Sequence, residues 1–241
     1  MELVPVLLSV LAAIVIIYIL YVLVMYAFFN EFTALTDLEE ASEGKIVIEK
    51  SKLGGEAGTG NYTYSIWVYV QDWNYGFGED KNVFVRKTEG GEGGNALRVL
   101  MDAQANNLVI ETRCFDDSSN TGSLQKCQVD NFPLQTWVNI TVSQYGRTCD
   151  VYIDGKLVRT CVFPSTAMVA KGSAILTPRN EGGSTSGFSG YTCKFRYFDY
   201  ASNPQQAYNI YKDGPCALGG VGYRLKFEVL QGTESKYTLI I

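Results

Sequence analysis

The residues able to do covalent or ligand chemistry are unevenly supplied. The chain carries six cysteines and no histidine. Without histidine there is no Ser-His-Asp or Cys-His nucleophile system, and the commonest zinc sites are excluded as well. The cysteines, Cys114, Cys127, Cys149, Cys161, Cys193 and Cys216, all fall between residues 114 and 216, and none forms C-x-x-C. An even number in a β-rich domain outside a membrane favours disulfides over metal. Cys149 and Cys161 flank Asp154-Gly155 and face each other if that loop has three residues. Cys114 and Cys127 bracket a polar stretch, which leaves Cys193 with Cys216. Spacing does not fix this connectivity, and six reduced, buried cysteines are the alternative.

Three further groups have chemistry to weigh. Asp102, Asn106, Asn107, Asp116 and Asp117 offer oxygens to a hard cation such as calcium. No spacing singles them out, and Asn and Asp are ordinary turn residues, so neither calcium nor any other cofactor is expected. Asp72-Trp73-Asn74-Tyr75-Gly76-Phe77-Gly78 sets Trp73, Tyr75 and Phe77 among polar groups. Such a loop suits a stacking platform for a sugar or a protein hot spot. The plainer reading is that Trp73 and Phe77 cap one end of a β domain. Asn61-Tyr62-Thr63 and Asn139-Ile140-Thr141 are N-glycosylation sequons, and Asn61 is the better acceptor because Asn139 lies mid-strand.

These residues must be positioned by strands. In Trp137–Val162, Val138, Ile140 and Val142 alternate with Asn139, Thr141 and Ser143, the period of a half-buried strand. Gln144-Tyr145-Gly146-Arg147 makes a turn, Val151 and Ile153 alternate again, and Asp154-Gly155 supplies hairpin chemistry before Leu157-Val158. The result is an antiparallel meander. Other predicted strands are Tyr62–Val70, Asn82–Arg86, Leu97–Met101, Leu108–Arg113, Ala174–Leu176 and Thr192–Tyr197, with Ile46–Ile48 a further candidate. Asn203 as N-cap, Pro204 at N1 and Gln206 at N3 predict a short helix ending near Asp213-Gly214-Pro215. In the tail, Tyr223–Leu230 and Lys236–Ile241 read as a hairpin that either completes a sheet or adds to a neighbouring protein's edge.

The N-terminus is different in kind. Leu3 to Phe29 contains no charged residue. As a helix of about 1.5 Å per residue it would reach roughly 40 Å, against a hydrocarbon core of about 30 Å. It is long for a signal peptide and lacks a basic region before it, so an uncleaved membrane anchor is expected. No Lys or Arg precedes Lys45, so orientation is not specified. Thr36-Asp37-Leu38-Glu39 has capping-box spacing and Gly44 is a natural stop, predicting a short helical stalk. The glycine-rich run Gly54–Gly60 precedes no helix pattern and reads as a flexible connection rather than a phosphate loop. The expected organisation is an anchor over 1–30, an acidic stalk and linker over 31–60, a β domain over 61–216 and a hairpin tail over 217–241. A net charge of −5 argues against a nucleic-acid partner.

W-V-N-I-T-V followed by D-V-Y-I-D-G-K-L-V resembles the middle of the concanavalin A-like lectin/glucanase superfamily, in its laminin-G and pentraxin-like branch. Y-S-I-W-V-Y-V at Tyr64–Val70 and G-F-S-G-Y-T-C-K-F-R-Y-F at Gly187–Phe198 agree with it in order along the chain. The resemblance implies an all-β, two-sheet antiparallel jelly-roll sandwich, with one N-terminal transmembrane helix added here. It does not imply a chemistry. Glucanases of this superfamily place their carboxylates on an E-x-D-x-x-E strand; no such run exists here and Thr63–Val70 carries no acid, so no catalytic residue is expected.

An apolar helix followed by a laminin-G-like domain ending in I-Y-K-D-G-P (Ile210–Pro215) is also similar to membrane-anchored proteins of large icosahedral DNA viruses of algae. That resemblance implies a non-enzymatic minor capsid protein tying an internal virion membrane to coat proteins. The alternative is a lectin-like surface module binding glycans or a receptor.

Overall fold

The computed structural model describes residues 3–29, 33–44, 46–53, 60–88, 94–116, 119–180, 182–216, 226–231 and 234–240; the side chains of 3–9, 24–29, 119–120 and 226–240 are not described. A helix, α1 (Leu3–Phe29), is followed by β1 (Glu39–Glu40), β2 (Ile46–Ile48), β3 (Tyr62–Asp72), β4 (Lys81–Lys87), β5 (Asn95–Met101) and β6 (Leu108–Asp116). Then come β7 (Ser119–Val129), β8 (Trp137–Tyr145), β9 (Thr148–Ile153), β10 (Lys156–Val162), β11 (Ala174–Leu176), β12 (Ser189–Phe198), α2 (Pro204–Lys212), β13 (Lys226–Gln231) and β14 (Glu234–Ile240).

Two six-stranded sheets form a sandwich: the first in the order β1-β12-β3-β8-β9-β10, the second β2-β11-β4-β5-β6-β7. Every pairing within them is antiparallel. Strand alternation sends Tyr64, Ile66 and Val68 of β3 and Val138, Ile140 and Val142 of β8 inward, against Phe84, Leu97, Val99 and Ile110 of the second sheet. At the β9–β10 turn, Asp154 and Gly155 both take positive φ (51° and 71°), as a tight two-residue hairpin requires.

The outer face of the first sheet is covered. Asn203 caps α2 in a reciprocal capping box with Gln206. The helix buries Ala207 and Ile210, and Tyr211 stacks on Trp67 at 5.6 Å. Beneath it the outward polar residues satisfy one another: Asn139 Nδ2 donates to Ser65 Oγ at 3.1 Å, and Ser143 Oγ to Ser202 O at 3.1 Å. The outer face of the second sheet has no such cover among the described residues.

Several expectations are corrected. Residues 33–44 are not a helical stalk: Leu35 N donates to Phe195 O at 2.7 Å, Thr36 Oγ1 accepts Phe195 N at 3.1 Å, and Glu39–Glu40 pair with β12. Thr36 is therefore bound to the sandwich rather than capping a helix, and the β domain begins before residue 61. Of the glycine-rich run, 54–59 lie outside the described residues. The sequence also missed β7, an edge strand on which only Cys127 is buried among the described side chains, so it carries no apolar alternation to read. The tail hairpin forms, but β13 and β14 pair only with each other and complete neither large sheet among the described residues; its predicted start, 223–225, lies outside them. The α1 backbone runs the predicted 27 residues. Among the described residues, however, no helix is long and apolar enough to cross a membrane. Described side chains cover only 10–23, so the anchor from Leu3 to Phe29 is a proposal.

Candidate recognition groove

The open face of the second sheet carries a groove of about 680 Å³, floored by β4, β5 and β6 and walled by residues 78–80, 178–180 and 182–183. Its volume lies within the range of small-ligand sites, roughly 300–1,000 Å³. Strand register explains the floor. Ile175, Val85, Arg98, Glu111 and Lys126 are successive partners across β11, β4, β5, β6 and β7. Directly opposed residues share a face, so this one row sets a cation, an anion and a cation side by side.

Arg98 is the hub. Its Nε donates to Asn82 Oδ1 at 2.7 Å, one terminal nitrogen to Glu111 Oε2 at 3.2 Å, and the other to Asp80 Oδ2 at 3.0 Å and Asn180 Oδ1 at 2.9 Å. Glu111 Oε1 accepts from Lys126 Nζ at 2.9 Å. Asn82 Nδ2 donates to Pro178 O and Asn180 Oδ1, which fixes the wall at 178–180 to the floor. Asn82 and Glu111 are buried. Asn95 Oδ1 is buried against the groove without a donor among the described residues.

The predicted aromatic loop leads into this groove. Trp73 is half-buried against the core, with Lys81 Nζ 4.6 Å above its ring. Burial lowers the pKa of the Lys81 ammonium, and that group also donates to Gly76 O at 3.1 Å. Tyr75 is half-buried, whereas Phe77 is 64% exposed and immediately precedes Gly78 and Glu79 of the groove wall. Trp73 thus packs as a cap, while Phe77 is exposed on the loop that runs into the groove wall. Glu79 clamps the opposite loop, accepting from Ser184 N (3.1 Å), Ser184 Oγ (2.6 Å), Thr185 N (3.2 Å) and Thr185 Oγ1 (3.0 Å). The Ser184 bonds foremost, then those of Thr185, hold its carboxyl down at about 2. Sequence reasoning missed Arg98, Asn82, Glu111 and Asn180; the signal was faint, one polar residue on each of several separate strands.

The other candidate residues lie elsewhere. Among the described residues no cluster of acids or cysteines could hold a metal ion. Asp102 Oδ1 accepts from Gln104 N and Ala105 N, Asn107 Oδ1 from Asn131 N, and Asn106 Nδ2 donates to Phe132 O, so these side chains build turns. Asp116 ends β6, and Asp117 lies outside the described residues. Asn61 is half-buried and its Oδ1 accepts Gly146 N at 2.9 Å; Asn139 is fully buried under α2.

The cysteine pairing is corrected too. Cys127 bonds Cys161, while Cys114, Cys149, Cys193 and Cys216 are free. A two-residue turn would offset Cys149 and Cys161, but a bulge between Leu157 and Arg159 restores them as direct partners. They still do not bond: Cys149 is buried in the core, and Cys161 reaches the opposite sheet. Cys114 and Cys127 sit on paired strands at different rungs, opposite Ser123 and Ile110, so they cannot meet.

Residues 42–207 match the Laminin_G_3 family model of the concanavalin A-like lectin/glucanases superfamily. The chain belongs to this family. No curated protein matches it. Among solved structures, this concanavalin A-like chain is similar to the binding domain of botulinum neurotoxin DC in complex with rat synaptotagmin II (TM-score 0.55, 10% identity, 76% of this chain and 47% of that one). It is likewise similar to the ligand binding domain of botulinum neurotoxin serotype D in complex with N-acetylneuraminic acid (0.53, 10%, 76% and 47%). A third is the serotype G binding domain (0.53, 11%, 74% and 46%). The chain spans less than half the length of each, and at such identity the likeness shows the fold alone.

Proposed function

We propose that this chain is a non-catalytic recognition module, held at a membrane by α1, whose second-sheet groove binds a glycan or the polar surface of a receptor. The observation that carries this reading is the groove itself: a fixed polar floor centred on Arg98, with an exposed aromatic, Phe77, next in sequence to its wall at Gly78. Hydrogen-bonding groups held in place beside an aromatic face suit the edges and faces of a sugar, or a polar hot spot. Fold-level neighbours that bind N-acetylneuraminic acid or synaptotagmin support recognition over the capsid role. The expected tie between virion membrane and coat proteins would use the same anchor and ranks second.

Catalysis is disfavoured by the carboxylates present. Both Glu111 oxygens are engaged, by Arg98 and Lys126, and Asp80 meets Arg98 as well. Glycoside hydrolysis needs one carboxyl free to give a proton to the leaving group.

Support for membrane attachment lies in α1, where Ile14, Ile17 and Tyr18 are each more than half exposed and nothing among the described residues covers them. Replacing Ile14 and Ile17 with lysine in the full chain should release it from membranes during alkaline carbonate extraction; retention would remove the anchor from the reading. For the groove, detergent-solubilised full chain should label a defined set of structures on a glycan array or receptor panel. Phe77→Ala, or the groove-filling Leu124→Trp, should abolish that labelling without changing the melting temperature. Labelling that both variants keep would place recognition elsewhere, and co-purification with a coat protein alone would favour the capsid role.

A further inference from the structure

Removing the Cys149–Cys161 and Cys114–Cys127 pairs removes the elimination that left Cys193 with Cys216, yet the structure supplies an independent reason to join them. Cys216 N donates to Cys193 Sγ at 3.1 Å, which sets the two residues side by side as free thiols. Three residues of β12 hold the intervening segment in place. Lys194 Nζ donates to Asp213 O, Asp213 Oδ2 and Gly214 O at 2.9–3.0 Å; Arg196 pairs with Asp213 Oδ2; and Cys193 receives Cys216. The same chain already carries one disulfide, which befits an oxidising compartment.

We infer that Cys193 and Cys216 form a second disulfide, a covalent clasp that fastens the α2 strap over the first sheet. Cys193 pairs in register with Trp67, the residue on which Tyr211 of α2 stacks, so the bond would close just beside that contact. The chemistry is thiol–disulfide exchange with a low-molecular-weight or protein disulfide. Two S–H bonds are lost and one S–S bond forms; the oxidant's own S–S bond breaks as it takes up the two electrons and two protons and leaves as two thiols. Cys114 and Cys149 stay reduced because neither is hydrogen-bonded to another cysteine among the described residues, Cys114 Sγ donating instead to Thr112 O.

The test is a thiol count on the full chain in detergent, equilibrated in a glutathione buffer in which Cys127–Cys161 is closed. After unfolding in guanidinium at acidic pH to stop exchange, two alkylatable thiols are expected, at Cys114 and Cys149, with a Cys193–Cys216 cross-linked peptide in the non-reduced digest. Cys216→Ser should raise the count to three and leave Cys127–Cys161 intact. Alkylation of both Cys193 and Cys216, or their capture by other cysteines, overturns the clasp.

Discussion

Cys127 on β7 and Cys161 on β10 are bonded across the two sheets, with their Cα atoms 5.9 Å apart and a sequence separation of 34. Each strand is the edge of its own sheet, so one bond closes the open side of the sandwich. In the loop-entropy model, closing a loop of that length contributes about 4 kcal/mol. The double variant Cys127→Ser/Cys161→Ser should lower the urea midpoint accordingly relative to the oxidised parent. An unchanged midpoint would mean that the two edges are held by packing alone.

Cys114 and Cys149 titrate late because burial disfavours the thiolate, raising Cys114 to about 11 and Cys149 to about 12. The folded state therefore holds these protons more tightly than the unfolded chain. Their stabilising contribution is whole below the ordinary thiol range near 9 and is lost as pH rises through about 11 and 12. Burial raises the Tyr62 and Tyr64 phenols as well, adding loss of the same sign. Urea midpoints should fall from pH 9 to 11, and less steeply for Cys114→Ala/Cys149→Ala. A midpoint flat across that range would contradict the buried placement.

Glu79 binds the Ser184–Thr185 loop only while ionised, with its carboxyl held at about 2 by those hydrogen bonds. A depressed carboxyl contributes above its unfolded value near 4.5 and loses that contribution as pH falls through about 2. The amide proton shifts of Ser184 and Thr185 should stay level down to about pH 4 and then titrate toward that low midpoint. Glu79→Gln should remove the titration and speed exchange at both amides. A midpoint near 4.5 would show that the clamp is absent in solution.

Arg98 is the only cation contacting both Asp80 and Glu111 among the described residues. Arg98→Ala leaves the buried Glu111 carboxylate with Lys126 alone. Breaking a buried pair from one side typically costs about 3–5 kcal/mol, and the partial exposure of Arg98 places this case near the lower end, about 3 kcal/mol. Arg98→Ala/Glu111→Ala should recover part of that loss, because the charges that lose a partner, Asp80 and Lys126, are exposed rather than buried. Equal destabilisation by the single and double variants would deny the coupling.

Much of the sandwich was legible in the residues because its evidence is local. Alternation in β3, β8 and β9, the Asp154-Gly155 turn and the Asn203-Pro204 cap each act within a few positions. Where the reading failed, the cause was contact at a distance. Thr36 has capping-box spacing, but its hydroxyl is taken by Phe195, 159 residues away. The polar edge strand β7 is held by its pairing with β6 and by Cys161, neither visible in its own sequence.

The sequence by itself determined the class of fold, the apolar segment from Leu3 to Phe29, the lack of histidine chemistry and an aromatic loop at Trp73–Phe77, since each follows from residue type and short-range period. Tertiary structure decided what faces what. The bulge at Val158 set Cys161 opposite Cys149, yet orientation across the sheets gave it Cys127. Antiparallel register placed Arg98 between Val85 and Glu111, and α2 covered one outer face while leaving the other open. A groove floor drawn from separate strands exists only once those strands are paired, because side chains distant in sequence become neighbours through backbone hydrogen bonding rather than through any pattern of their own.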